Sequence, residues 1–165
     1  MSQRRVIIAV MMVSILLLVP AIQGNSGGIY NQASGCSCHS GTAAPGATVS
    51  ISGLPTSYDV NKLYQVTVSV SGGVSGSSGG FSLEVDKGTL STGFGLMLVN
   101  VNSNGDSATH SITGSSYRSW SFEWTSPAAG AGIVTFDVAG MTTNGDGTNN
   151  GDRWVTDSIQ VPENI

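Results

Sequence analysis

The stretch that decides the fold is Leu63-Tyr64-Gln65-Val66-Thr67-Val68-Ser69-Val70-Ser71. Its apolar residues alternate with polar ones, as Tyr64, Val66, Val68 and Val70 against Gln65, Thr67 and Ser69. Successive side chains of a β-strand point to opposite faces, so such alternation is typical of a half-buried antiparallel strand. The stretch therefore predicts one strand with a core-facing side and a solvent-facing side.

The same alternation recurs along the chain in other short segments. They are Thr48 to Leu54, Phe81 to Val85, Trp120 to Trp124, Val134 to Val138, Trp154 to Val161 and, more weakly, Gly93 to Val101. Gly, Asn, Ser and Pro separate them, and about seven strands at this spacing indicate two sheets packed around one core. We expect an all-β fold, specifically an immunoglobulin-like antiparallel β-sandwich.

Composition supports this fold class and narrows the function. The chain of 165 residues contains 23 glycines, and charged residues make up only 10% of it. Few charges and many small polar residues favour strands and turns over helices. The net charge of −4 leaves no basic patch to neutralise a phosphate backbone, which argues against a nucleic-acid partner.

The N-terminus has the pattern of a secretory signal peptide. Arg4 and Arg5 precede an apolar run from Val6 to Val19, and small residues follow at Ala21 and Gly24. A basic start, an apolar stretch and a small-residue exit predict export, with an uncleaved N-terminal anchor as the alternative. No second apolar run follows, so we expect no transmembrane segment in the mature chain and a secreted or cell-surface location.

These patterns divide the chain into three parts. We expect a signal helix over residues 1–24 and an irregular arm over residues 25–46. The arm has no periodicity and carries the cysteines. The β-sandwich then occupies residues 47–165 as a single domain.

Both cysteines and one of only two histidines lie in the arm, in Gly35-Cys36-Ser37-Cys38-His39. In a c-type haem, two cysteines form thioethers and the adjacent histidine coordinates the iron. The usual spacing is Cys-x-x-Cys-His, and this chain has one residue fewer between its cysteines. A second axial ligand would come from His110, the only other histidine, or from Met97 or Met141.

Other chemistries fit the same cluster. Two thiolates with His39 and His110 form a set that suits tetrahedral zinc, whereas thiolate, imidazole and thioether together suit copper. A Cys36–Cys38 disulfide is a further alternative in an oxidising compartment, strained and hence readily reduced. The cysteines could also be a surface pair with no partner.

A second polar cluster lies in the segment from Asn144 to Asp152. Its carboxylate and amide oxygens, above all those of Asn144, Asp146 and Asp152, predict a candidate calcium loop. Asn-Gly and Asp-Gly pairs are also common in tight turns, so a purely structural loop is the alternative. We find no nucleophile–base pair and no phosphate-binding glycine loop, and we therefore predict that the chain is not an enzyme.

Several motifs occur in a familiar order. The cysteine–histidine cluster is followed by the segments Ile51–Pro55, Gly80–Val85, Ala108–Ser111, Trp120–Pro127, Ala139–Gly147 and Gly151–Arg153. In this order they resemble the choice-of-anchor V (Reeler-like) family of secreted prokaryotic surface domains. The resemblance covers nearly all of the chain after the leader, from about Gly35 to Val161.

This resemblance implies an immunoglobulin-like sandwich displayed at the cell surface. Members typically carry a Cys-x-x-Cys-His motif that serves as a haem attachment site, and Cys36, Cys38 and His39 take that place here. The family's histidine before the Trp-x-Phe-x-Trp strand corresponds to His110, which the resemblance implies is the second axial ligand.

Two hypotheses follow from the residues and the resemblance. In the first, the exported sandwich binds haem c, or zinc or copper, through Cys36, Cys38, His39 and His110. It would serve in extracellular electron transfer with a redox or surface partner still to be identified. In the alternative, the chain is a metal-free structural or adhesion module in which Cys36 pairs with Cys38.

Overall fold

A computed structural model describes residues 25–36, 39, 46–93 and 97–164 of the chain. The predicted signal helix over residues 1–24 lies outside this part. Within it, nine strands form two antiparallel sheets. Their bounds are β1 Ala47–Ser52, β2 Leu63–Gly72, β3 Gly79–Val85, β4 Thr89–Ser91, β5 Val99–Val101, β6 Ser107–His110, β7 Ser119–Thr125, β8 Val134–Thr142 and β9 Arg153–Val161. A single 3-10 turn, Gly114–Ser116, connects β6 to β7.

The first sheet has four strands in the order β1-β2-β7-β4. Its register places Val66 opposite Phe122 and Val68 opposite Trp120, so these apolar side chains share one face. The serines and threonines between them share the other face, where the hydroxyl groups of Thr67 and Ser121 form a hydrogen bond of 2.8 Å. The alternation in the sequence thus separates a core face from a polar face.

The second sheet has five strands in the order β5-β6-β3-β8-β9. Leu83 lies opposite Val138, and Phe136 lies opposite Ile159. This apolar face packs against that of the first sheet, which is the arrangement of a β-sandwich. The fold prediction is therefore confirmed.

Aromatic side chains dominate the core between the sheets. Trp124 stacks on Tyr64 at a centroid distance of 5.5 Å and meets the edge of Phe136 at 4.9 Å. Trp120 is fully buried, and its indole N–H donates to the carbonyl of Gly114 over 2.8 Å. Burying a large apolar side chain contributes about 1.5–3 kcal/mol, so this stripe carries much of the stability.

The structure contains two strands that the alternation does not reveal, β4 and β6. In β6, Ala108 lies opposite Leu83 on the core face, while Thr109 lies opposite Ser82 on the outer face. All four residues of β6 are buried, because a further layer of chain covers that outer face. Ala108 is the single apolar residue of this four-residue strand, too few for the sequence to show an alternation of apolar and polar positions.

Candidate functional site

The layer over the second sheet is the arm, of which the structure describes residues 25–36, 39 and 46. Three consecutive backbone N–H groups of the arm donate to side chains that project from the sheet. Asn31 donates to Ser107 Oγ over 3.1 Å, Gln32 to Ser82 Oγ over 3.1 Å and Ala33 to Glu84 Oε1 over 2.9 Å. The arm is irregular but fixed, because its backbone donors find partners on β3 and β6.

The arm continues across the sheet to β9. At Gly35 a Cβ atom would lie 2.6 Å from the ring of Trp154, and the backbone φ of Gly35 is +145°. A side chain at this position would push the arm away from β9. Gly35 therefore allows the chain to reach the end of the sandwich where His39 lies.

His39 is joined to the beginning of β9 by a short hydrogen bond. Its Nδ1 lies 2.6 Å from Oδ2 of Asp152. The side chain of Asp152 is fully buried, and that of His39 is 13% exposed. A carboxylate withdrawn from water needs a partner, and His39 provides one. The contact leaves Nε2 of His39 as the nitrogen that can bind a metal.

His110, the last residue of β6, lies beside this pair. Its Nδ1 lies 3.2 Å from the backbone nitrogen and 3.3 Å from the carbonyl oxygen of Phe81, so it accepts from the N–H or donates to the carbonyl according to the ring tautomer. Burial is the largest cause that lowers the pKa of His110, and nearby His39 adds to it; backbone hydrogen bonds with Phe81 and Asn25 partly oppose it. The ring is thus held neutral at neutral pH, the form that binds metals.

The structure brings the two histidines to the same cavities. One cavity, of about 250 Å³, is lined by His39, His110, Met141 and Asp152 together with polar residues of the neighbouring loops. A smaller one, of about 90 Å³, is lined by Cys36, His39, His110 and Met141 and by the ring of Phe81. Imidazole, thioether and thiol groups therefore surround one region between the arm and the sheet.

The remaining predicted ligands are placed as follows. Cys38 lies outside the described residues. Met97 is 86% exposed and does not line either cavity, whereas Met141 is buried and lines both. No group of three His, Cys, Asp or Glu side chains in the described ranges is arranged to hold a metal ion.

The loop from Asn144 to Asp152 forms one wall of the larger cavity. Asn144 directs its amide nitrogen to Asp146 Oδ2 over 3.0 Å, while Asp146 Oδ1 accepts from the N–H and hydroxyl of Thr148. Asp152 accepts from His39 and from the backbone N–H of Asn144. The three predicted calcium ligands thus have protein partners within and beside the loop, and calcium binding stays a prediction.

Two features of the site escaped prediction from the sequence. The sequence indicates Asp152 only as a calcium ligand and gives no sign of its contact with His39. Ser82 and Glu84, which hold the arm, follow the alternation of β3 as ordinary outward polar positions, and Ser107 lies in a strand that the sequence does not predict. No sequence signal distinguishes an outward side chain that meets solvent from one that meets another segment of the chain.

Comparison with solved structures relates the sandwich to Reeler domains. The reeler domain of human F-spondin (fragment 2) superposes with a TM-score of 0.52 at 18% identity, covering 74% of this chain and 95% of that one. The Reelin-N domain of F-spondin gives a TM-score of 0.51 at 17% identity, covering 85% and 94%. At this identity the likeness concerns the fold alone.

Other comparisons add no family assignment. No protein-family model and no curated protein matches the chain. Across the part of the chain described here, no helix is long and apolar enough to cross a membrane. By fold, the chain is similar to Reeler domains.

Proposed function

We propose that this chain is an exported β-sandwich module that is displayed at the cell surface, where it has a structural or adhesive role and catalyses no reaction. The observation that carries the proposal is the two-sheet sandwich and its likeness to Reeler domains. The leader pattern at Arg4, Arg5 and Val6 to Val19 supports export. The finer assignment, to the choice-of-anchor V family, rests on the order of the sequence motifs.

Surface display is tested on intact cells that express the full chain with a C-terminal tag. We expect external protease to remove the tag, and a cytoplasmic control protein with the same tag to survive. Mass spectrometry of the recovered protein should show loss of the N-terminal residues. A tag that is protected in intact cells and cleaved only after lysis would contradict the proposal.

A second candidate function is a haem or metal site in the same module, and the placement of His39 and His110 favours it. Both line the cavities between the arm and the sheet. The donor types suit a transition metal, because His39 has one ring nitrogen bound by a buried carboxylate and His110 is held neutral, although no three such side chains among the described residues surround one point. The similarity to Reeler domains gives no information about a cofactor, so this proposal rests only on the residues of the site.

The residues have separate roles in this second candidate. Cys36 and Cys38 would attach a haem covalently or bind a zinc or copper ion as thiolates. His39 would bind the metal through Nε2. His110 would also bind it, and to do so it must give up its hydrogen bond with the backbone of Asn25. A bound haem iron would supply one-electron transfer to an external partner.

The test is a visible spectrum and an intact mass of protein matured in a host with haem-attachment machinery. We expect a haem spectrum and the added mass of the cofactor, with the six-coordinate signature lost in His110→Ala. Met97→Leu, at an exposed position outside the cavities, is the matched control and should leave the spectrum unchanged. A colourless, metal-free protein would exclude this second candidate. If its mass also rises by two hydrogens on reduction, the result would support the metal-free module with a Cys36–Cys38 disulfide.

A further inference from the structure

We infer that Asp152 is a positioning residue that orients His39 toward a bound metal or haem iron. This inference rests on the second candidate function. It departs from the sequence pattern, which placed Asp152 in a calcium loop.

The geometry of the pair supports this role. Oδ2 of Asp152 lies 2.6 Å from Nδ1 of His39, and Oδ1 accepts the backbone N–H of Asn144 over 3.3 Å. Each carboxylate oxygen thus has its own partner, and the fully buried side chain cannot turn toward solvent. A buried carboxylate held in this way fixes the orientation of the imidazole bound to it.

The pair also fixes which ring nitrogen of His39 carries the proton. A carboxylate accepts hydrogen bonds, so Nδ1 is the protonated nitrogen of the neutral ring and Nε2 keeps its lone pair. Metal-binding histidines commonly donate their second N–H to a carboxylate, which orients the ring and raises its basicity. Asp152 prepares His39 for binding through Nε2.

The position of the pair points to a ligand as well. Both residues line the cavity that also contains His110 and Met141. A contact that served only to fasten the arm could lie anywhere beneath it, as the contact between Ala33 and Glu84 does. His39 and Asp152 instead lie in the wall of the cavity that His110 and Met141 also line.

The first test uses the full chain without metal. Nitrogen-15 NMR of the imidazoles should show His39 protonated at Nδ1 in the wild type and a mixture of ring forms in Asp152→Asn. Asn144→Ala is the matched control, because it changes the same loop but keeps the backbone N–H that donates a hydrogen bond to Asp152. The tautomer of His39 should therefore stay the same in this variant. A purely structural role would not set the protonated nitrogen.

The second test measures metal binding. Titration of the reduced protein with Zn²⁺ should give an affinity about 10–100-fold weaker for Asp152→Asn than for wild type and Asn144→Ala. In haem-matured protein, the reduction potential should rise in Asp152→Asn, because the imidazole becomes a weaker donor. Circular dichroism establishes that each variant is folded.

The outcomes separate the two proposals. A wild type that binds neither Zn²⁺ nor haem, but holds His39 protonated at Nδ1, would overturn the metal site and leave the orientation of His39 by Asp152 intact. A wild type that does bind metal, but no more tightly than folded Asp152→Asn, would overturn the positioning role. So would a His39 ring protonated at Nε2 in the metal-free wild type.

Discussion

Nδ1 of His39 lies 2.6 Å from Oδ2 of Asp152, although the two residues are separated by 113 positions in the sequence. The contact joins the end of the arm to the beginning of β9. It therefore fastens the N-terminal segment to the last strand of the sandwich. Around this contact lie the other groups that make the region a candidate site.

The contact should be measurable as a coupling energy. We expect His39→Ala to destabilise the fold by about 1–3 kcal/mol, because the buried carboxylate of Asp152 loses its partner. A double-mutant cycle with Asp152→Ala should give an interaction energy of about 0.5–3 kcal/mol in urea unfolding. Strictly additive effects would contradict the contact.

Gly35 should control how firmly the arm is attached. In Gly35→Ala the new methyl group meets the ring of Trp154, so the arm is displaced from β9. We expect faster hydrogen exchange at the amides of Gln32 and Ala33, which donate to the sheet, with little change at Phe122 in the core. Unchanged exchange at the two arm amides would contradict this account.

Gly80 should control the position of the His110 ring. A Cβ atom at Gly80 would lie 2.7 Å from Cε1 of His110. We expect Gly80→Ala to displace the ring, to break its hydrogen bond with Phe81 and to shift the imidazole NMR signals. Gly27→Ala is the control, since a Cβ there meets only ordinary contacts of 3.4 Å or more.

Glu163 should make stability depend on pH in the acid range. The N–H groups of Gly130 and Gly132 donate to its carboxylate. These hydrogen bonds, first that of Gly130 and then that of Gly132, lower the pKa of Glu163 from its ordinary value of 4.5. A lowered pKa in the folded state means that the stabilisation is complete above pH 4.5 and is lost as the pH falls through the folded-state value.

The measurement compares urea midpoints of wild type and Glu163→Gln across this range. We expect the wild type to be more stable at neutral pH and the difference to shrink as the pH falls below 4.5. Glu123→Gln, on the outer face of the first sheet, controls for the loss of one negative charge. A difference that stays constant down to the acid limit would exclude this role for Glu163.

The two faces of β7 should respond differently to substitution. Phe122 is buried in the core, so Phe122→Leu should cost about 0.5–3 kcal/mol of unfolding free energy. Ser121 is exposed on the outer face, and Ser121→Ala should change stability by no more than about 0.5 kcal/mol. Equal costs at both positions would contradict the assignment of the faces.

The sequence was sufficient for the sandwich because alternation is a local property. Val66 and Val68 lie on one face of β2 whatever the rest of the chain does, and the same holds for Trp120 and Phe122 on β7. Repeated in several segments, this pattern favours two sheets that share a core. The sequence does not predict the strand β6, because the four residues from Ser107 to His110 contain a single apolar side chain, that of Ala108.

The candidate site depended on the tertiary structure. The sequence selected His39 and His110 by residue type, yet nothing local determines whether residues so far apart meet. Their approach follows from the path of the arm across the second sheet, which brings His39 to the end of β6. The partnership of His39 with Asp152 has the same origin, since contacts between distant segments are set by strand order and register, and no short stretch of sequence encodes them.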